Sequence, residues 1–343
     1  MKIALVHRYY PMQGGVTTVV RNLKDYFNDK KIKAEVITNM PCSEKNVKTF
    51  SGNSISFYFK AYKYLKSQNF DIIHAHSIPL CYFSFFLKGK IIFSSHGYDK
   101  IYDWPKNPFI GLIVLASIYL KGFGYRFVDR IVAVSNLVKE ETVKNWKIKP
   151  ENVEVIHNAV DAELFKPEKT GSKRTLDIFL YGTSKRKGFD KLIEWAPRII
   201  KDVPNVKFII IGKKEDLNKN IKDYFEFIDN ISFRKMPEAY NSADLVLLPS
   251  LDEPFGLTAA EGMSCEKPVI VSDFSGIRDI IQNNKNGVIS SFEDFPKNII
   301  FLAKNEQKRK EMGKKARQTI IKDISDKVVG KKYLELYKKI LKV

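Results

Sequence analysis

A chain of 343 residues has room for two ordinary domains, and a hydrophobic share of 44% can fill a core in each. A formal charge of +19 favours anionic partners (nucleotide diphosphates, lipid phosphates, membrane surfaces, nucleic acid) without choosing among them, and lysine-rich composition can also reflect coding bias. Three cysteines, Cys42, Cys81 and Cys265, lack the paired spacing of a disulfide framework or a zinc site and point to a reduced, intracellular setting.

The first element is an apolar strand, Lys2-Ile3-Ala4-Leu5-Val6, and no signal peptide is expected ahead of it. Residues 7–13 lead to Gly14-Gly15, after which Val16, Val19, Val20, Leu23 and Phe27 recur at helical spacing. A Gly-Gly turn between strand and helix offers backbone N–H groups to an anion, although tight turns use glycine freely. Residues 34–38 are predicted to be a strand, 55–59 another, and 62–67 a helix. In Asp71-Ile72-Ile73-His74-Ala75-His76 the two histidines share one side of a strand, and no Cys, Asp or Glu of suitable spacing joins them as metal ligands. Residues 90–95 form the next strand, with His96-Gly97 at its carboxyl end. The longest apolar run, residues 109–120, is too short to span a bilayer. With Trp104 ahead of it and Lys121 to Arg126 behind, it reads either as a core helix or as an interfacial one; residues 79–87 are a second apolar, aromatic stretch. A strand at 129–135 and a helix to about Trp146 follow. Leu164-Phe165-Lys166-Pro167 and the polar run after it mark a domain boundary.

Residues 176–181 open the second half as a strand, which passes into Gly182-Thr183-Ser184-Lys185-Arg186-Lys187-Gly188 and then a helix; taken alone, the basic run is a solvated turn. Residues 206–211 are a strand. So are 243–250, ended by Pro249-Ser250, and 267–272. Between the last two lies Glu253-Pro254-Phe255-Gly256-Leu257-Thr258-Ala259-Ala260-Glu261: a loop, then a helix over about 256–263. Open α/β sheets bind ligands in such loops, at the carboxyl ends of parallel strands. A first helical turn has free N–H groups and a positive dipole end, and Gly256 permits close approach, which suits a phosphate or pyrophosphate. Glu261 shares a helix face with Leu257 among small and apolar neighbours, so its carboxylate needs a polar partner, a need ribose hydroxyls would meet. Glu253, ahead of the helix, is able to accept hydrogen bonds from a hexose. The plainer alternative is an acid complementing the helix dipole and a solvent-facing Glu261.

This segment resembles the Glu, seven residues, Glu signature of retaining glycosyltransferases of family 4: both acids, Pro-Phe-Gly-Leu and the preceding Leu-Pro-Ser agree. Val155-Ile156-His157-Asn158-Ala159-Val160-Asp161 is similar to that family's Val-Ile-Pro-Asn-Gly-Val-Asp, with His157 and Ala159 departing from it. The resemblance implies an α/β protein of GT-B fold, with two Rossmann-like domains whose parallel sheets face across a cleft. It implies an acceptor domain at 1–165, a nucleotide-sugar domain at 166–322, and a C-terminal helix at 323–343 crossing back to the first domain.

It also implies roles. His96 and Glu253 are the catalytic residues: Glu253 orients the donor hexose, and His96 contacts that hexose or its leaving oxygen. Glu261 holds the ribose, while Lys187 and the Phe255, Gly256, Leu257 and Thr258 turn hold the donor pyrophosphate. Thr183 stands where the family has an arginine, which leaves Arg186 or Lys185 to supply the second cation. Gly14 and Gly15 face phosphate or acceptor. No Asp-x-Asp occurs in the chain, so no metal and no cofactor beyond a UDP- or GDP-linked co-substrate is expected. The implied enzyme is a cytoplasmic hexosyltransferase acting on a glycan or lipid-linked acceptor, in peripheral contact with anionic membrane; nucleic acid is not an expected partner. A GT-B nucleotide-sugar epimerase, or a non-catalytic sugar-nucleotide or nucleic-acid binder, is the alternative.

Overall fold

The computed structural model describes residues 1–12, 14–76, 80, 86–97, 123–169, 171 and 174–342. The apolar run 109–120 lies outside these, as does most of 79–87. Two units divide the chain: Met1–Ala159 with Asp326–Val343, and Val160–Ser325.

The first unit is built on β1 (Lys2–Val6), β2 (Lys33–Thr38), β3 (Val47–Thr49), β4 (Ile72–Ala75), β5 (Lys90–Ser95), β6 (Arg130–Ala133) and β7 (Val153–Val155), in the order β3-β2-β1-β4-β5-β6-β7. Every pairing is parallel. Parallel strands are covered on both faces, which is why β1, β4 and β5 read as near-continuous apolar runs. Helix α1 (Gly15–Asp29) buries Val19, Val20, Leu23 and Phe27. Residues 55–59 are not a strand; they belong to one helix, α2 (Ser54–Ser67), whose N-terminus is capped by the Asn53 side chain accepting from the Ser56 N–H at 2.9 Å. The Ser-Ile-Ser-Phe-Tyr-Phe opening imitates alternation, but Phe57, Tyr58, Ala61 and Leu65 are the buried set, and their spacing is helical. The strand of this region is the short β3 instead. Helix α3 (Asn136–Trp146) follows β6, capped by Ser135.

In the second unit β8 (Leu176–Tyr181), β9 (Val206–Ile211), β10 (Phe225–Ile228), β11 (Leu245–Leu248), β12 (Val269–Ser272) and β13 (Val288–Ser290) form a parallel sheet in the order β10-β9-β8-β11-β12-β13. Its helices are α4 (Phe189–Asp202), α5 (Met236–Ser242), α6 (Leu257–Ser264), α7 (Phe295–Lys304) and α8 (Glu306–Thr319). One core joins Leu192, Trp195 and Ile199 of α4 to Phe208, Phe225 and Phe295, with Trp195 stacked on Phe295 at 5.0 Å. Residues 160–165, read on sequence as the end of the first domain, pack in this unit. The buried Phe165 ring meets Phe233 and Tyr240, and the Arg317 guanidinium donates to the Ala162 and Phe165 carbonyls.

The chain then returns to the first unit as α9 (Asp326–Leu341). Tyr333 and Tyr337 are buried there. The Tyr337 hydroxyl lies 2.6 Å from His74 Nδ1, its ring stacks on Phe27 at 5.4 Å, and a Cβ at Gly330 would stand 2.3 Å from the Tyr26 ring. Among the described residues no helix is long and apolar enough to cross a membrane.

Candidate active site

Strand order reverses at β8 and β11 in the second sheet, so the loops leaving those neighbouring strands lie side by side, the usual ligand position of such sheets. After β8 comes the basic turn Lys185–Lys187, closed by Gly188 at φ +76. A Cβ there would stand 2.0 Å from the Pro249 carbonyl oxygen, so conformation and close approach both demand glycine. That contact seats the turn on the loop after β11. The Leu251 N–H donates to the Arg186 carbonyl at 2.9 Å, and the Arg186 guanidinium donates to the Asp252 carbonyl at 3.2 Å. Lys185 stays exposed, and Thr183 lies against Gly212. The result is a short contact that no local pattern shows: Lys187 Nζ is 2.6 Å from Glu253 Oε2, with the side chains 18% and 13% exposed.

Glu253 is fixed as a one-residue strand extension. Its N–H donates to the Phe274 carbonyl at 3.1 Å, and its carbonyl accepts from the Gly276 N–H at 2.8 Å. Phe255 is buried, and Gly256 at φ +111 starts α6; a Cβ on it would meet Leu248 Cδ2 at 2.8 Å. Unlike α2 and α3, α6 has no side-chain cap, and no acid stands in its first turn, so the N–H groups around Leu257 and Thr258 are open to an anion. Glu261, one turn on, is buried, and the Tyr240 hydroxyl of α5 donates to its Oε2 at 2.7 Å. Burial pushes its pKa up to about 7 against the pull of that hydrogen bond. Sequence reasoning required a polar partner at Glu261 but had no signal for Tyr240, which reaches it from another helix.

In the first sheet the order reverses at β1 and β4. The chain leaving β1 reaches Gly14 and Gly15, both exposed; Gly14 has nothing within 4 Å of a Cβ, and its carbonyl accepts from the Thr18 N–H at 3.0 Å. Helix α1 likewise starts with no side-chain cap and no first-turn acid. The approach to it is braced by a trio that the sequence reading missed, buried at Tyr10 and Lys24 and exposed at Glu44: Lys24 Nζ donates to the Tyr10 hydroxyl at 3.0 Å and to Glu44 Oε2 at 2.5 Å. Burial works against the Lys24 ammonium, but the bonds to Glu44 and Tyr10 outweigh it and raise the pKa. A lysine on the apolar face of α1, between Val20 and Phe27, was the available clue.

His96, just after β5, places Nε2 at 2.9 Å from His76 Nδ1, and the two rings stack at 5.2 Å. His74 is fully buried against the other side of this pair, its ring 4.2 Å from that of His76, with its nitrogens at 2.6 Å from the Tyr337 hydroxyl and 2.7 Å from the Ser94 hydroxyl. Burial lowers all of these rings: His7 to about 4, His74 and His96 to about 3, His76 well below its ordinary value. His96 is therefore a neutral hydrogen-bonding group at pH 7, not a cation. Among the described residues no group of three or more His, Cys, Asp or Glu is placed to hold a metal ion.

Residues 160–319 match the family described as Glycosyl transferases group 1, and residues 13–164 match Glycosyltransferase Family 4. The chain is 28% identical to an uncharacterised glycosyltransferase of Methanocaldococcus jannaschii over 349 aligned positions, covering 93% of each. It superposes on sucrose-phosphate synthase of Thermosynechococcus elongatus with a TM-score of 0.82 at 16% identity, covering 99% of each chain. With an Anabaena protein solved in complex with UDP-glucose the TM-score is 0.78 at 18% identity, covering 99% of this chain and 100% of that one. At such identities the structural likeness concerns the fold.

Proposed function

The chain belongs to the group 1, family 4 glycosyltransferases and has their GT-B fold, and on that footing we propose that it moves a hexose, with retained configuration, from a UDP- or GDP-linked sugar to a hydroxyl acceptor. The observation that carries this reading is the 2.6 Å contact of Lys187 with Glu253 beside the uncapped start of α6, at the point where strand order reverses. On arrival of the donor, Lys187 passes from Glu253 to the pyrophosphate, which the Gly256, Leu257 and Thr258 turn also receives. Glu253 is thereby freed to accept hydrogen bonds from the hexose, and Glu261 accepts them from the ribose beside Tyr240.

As the anomeric C–O bond breaks, charge grows on the departing pyrophosphate, where an aimed cation and a helix N-terminus lower the barrier. The acceptor oxygen bonds to the anomeric carbon on the face the leaving group vacates, and its proton goes to a departing phosphate oxygen. In the first unit His96 offers a neutral ring as a hydrogen-bonding group. In this proposal Lys187 and α6 supply the positive charge without a metal or further cofactor. The acceptor is a glycan or a lipid-linked sugar at the cytoplasmic membrane face, a placement supported by the charge of +19.

The UDP-glucose in the Anabaena structure makes a uridine donor the first to test. A ligand bound only by the native state raises its melting temperature. A thermal-shift screen of UDP, GDP and their sugars should therefore single out a donor, and product NMR with that donor should show the retained anomer. Interconversion of the sugar without transfer, or binding without turnover on any acceptor, refutes the reading.

A further inference from the structure

We propose that the outer face of α2 docks the first unit on an anionic lipid surface. Ile55, Phe59, Tyr62, Lys63 and Lys66 line one side of this helix, while Phe57, Tyr58, Ala61 and Leu65 are buried on the other. Ile55 is 83% exposed and Phe59 51% exposed, one turn apart. A single exposed apolar residue is ordinary, but this pair is framed by cations. Lys63 Nζ lies 4.6 Å over the Phe59 ring, and Lys66 Nζ lies 5.8 Å from the Tyr62 ring.

Between Glu44 and Asp71 the chain has five lysines and no acid. Glu35, the carboxylate that faces α2 from β2, is bonded by the Tyr64 hydroxyl. An apolar centre with lysines around it fits the headgroup boundary: Ile55 and Phe59 enter the acyl edge while the lysine stems bend to the phosphates. A nucleic acid would use the aromatic rings and lysines but has no use for Ile55. A second copy would set lysine against lysine. This face escaped the sequence reading because residues 55–59 imitate a strand. It deepens the membrane-surface acceptor proposed above and rests on that reading for its purpose, but its test does not involve catalysis.

The test is cosedimentation of the full chain with phosphatidylcholine vesicles, with and without phosphatidylglycerol, at several salt concentrations. Binding is expected only to the anionic vesicles and should weaken with salt. The double variant Ile55→Ser/Phe59→Ser should bind at least about tenfold more weakly, and each of Lys63→Gln and Lys66→Gln roughly fivefold more weakly. Phe301→Ser, at an exposed residue of the second unit, should bind as the native chain does. In Phe59→Trp, indole emission should shift to the blue when anionic vesicles are added and not with neutral ones. Any of four results overturns the proposal: no anionic vesicle binding at low salt, undiminished binding by the double variant, self-association that the double variant abolishes while vesicle binding persists, or nucleic-acid binding that needs these lysines in a chain that ignores vesicles. Donor-induced thermal shifts are measured on the same proteins, so a failed transferase reading shows there while vesicle binding stands.

Discussion

Glu253→Gln keeps the shape of the side chain and removes the charge that faces Lys187. The two groups meet at 2.6 Å and are 18% and 13% exposed. The pair thus falls between a solvated pair, contributing about 0–1 kcal/mol, and a fully buried one whose rupture costs about 3–5 kcal/mol. A loss of about 2 kcal/mol is expected, which for a unit of this size lowers the melting temperature by roughly 4–8 °C. Nucleotide affinity should move the other way. Pyrophosphate no longer competes with Glu253 for Lys187 or meets its negative charge, so UDP should bind as tightly as before or up to about tenfold tighter, a gain of about 1.4 kcal/mol. Transfer should fall by at least ~10²-fold, as when a group aimed at the reacting centre is lost. Lys187→Met should instead weaken UDP binding, and the double variant should show a coupling energy of about 1–3 kcal/mol. Scanning fluorimetry, titration calorimetry and turnover on one protein preparation read all three effects. A Glu253→Gln enzyme that binds UDP less well yet turns over normally, or a coupling energy of zero, would refute the reasoning.

The Glu261 carboxyl titrates near 7 in the folded chain against an ordinary value of 4.5, so the native state holds its proton more tightly than the unfolded one. Its contribution to stability is therefore full below pH 4.5 and declines as pH rises to 7, and the ionised form costs on the order of 3 kcal/mol above that. Glu261→Gln should flatten this part of the stability profile, raise the melting temperature at pH 8 and weaken nucleotide binding; an unchanged pH profile in urea titrations would count against the assignment. Gly188→Ala, with φ +76 and a Cβ 2.0 Å from the Pro249 oxygen, should cost on the order of 1–3 kcal/mol and lower UDP affinity by shifting Lys187, both measurable by thermal shift with and without UDP. Tyr337→Phe leaves a buried His74 nitrogen without the hydroxyl 2.6 Å away. A loss of about 1–3 kcal/mol is expected, visible as faster amide exchange in α9 with UDP binding unchanged.

Local pattern carried much of the architecture. The bounds of β1, β5, β8 and β9 can be read from their apolar runs, because strands buried on both faces leave a continuous signal. The acids Glu253 and Glu261, eight positions apart around a glycine-started helix, are equally legible, since their spacing is a property of the chain itself. Helix α2 was not: Ser-Ile-Ser-Phe alternates like a strand, and the choice was made by an Asn53 cap together with a buried face that exists only once the sheet is present.

Some relations belong to tertiary structure alone. Lys187 meets Glu253 because β8 and β11 are neighbours, while β9 and β10, which lie between them in the chain, fall on the other side of β8. Tyr240 reaches Glu261 because α5 and α6 bracket β11 in sequence and come together in space. The sequence by itself determined most of the strands and helices, α2 excepted, and which two acids bracket the functional turn. Strand order decided which charges meet, because pairing across dozens of residues depends on how the sheet is wound, and no local periodicity records that.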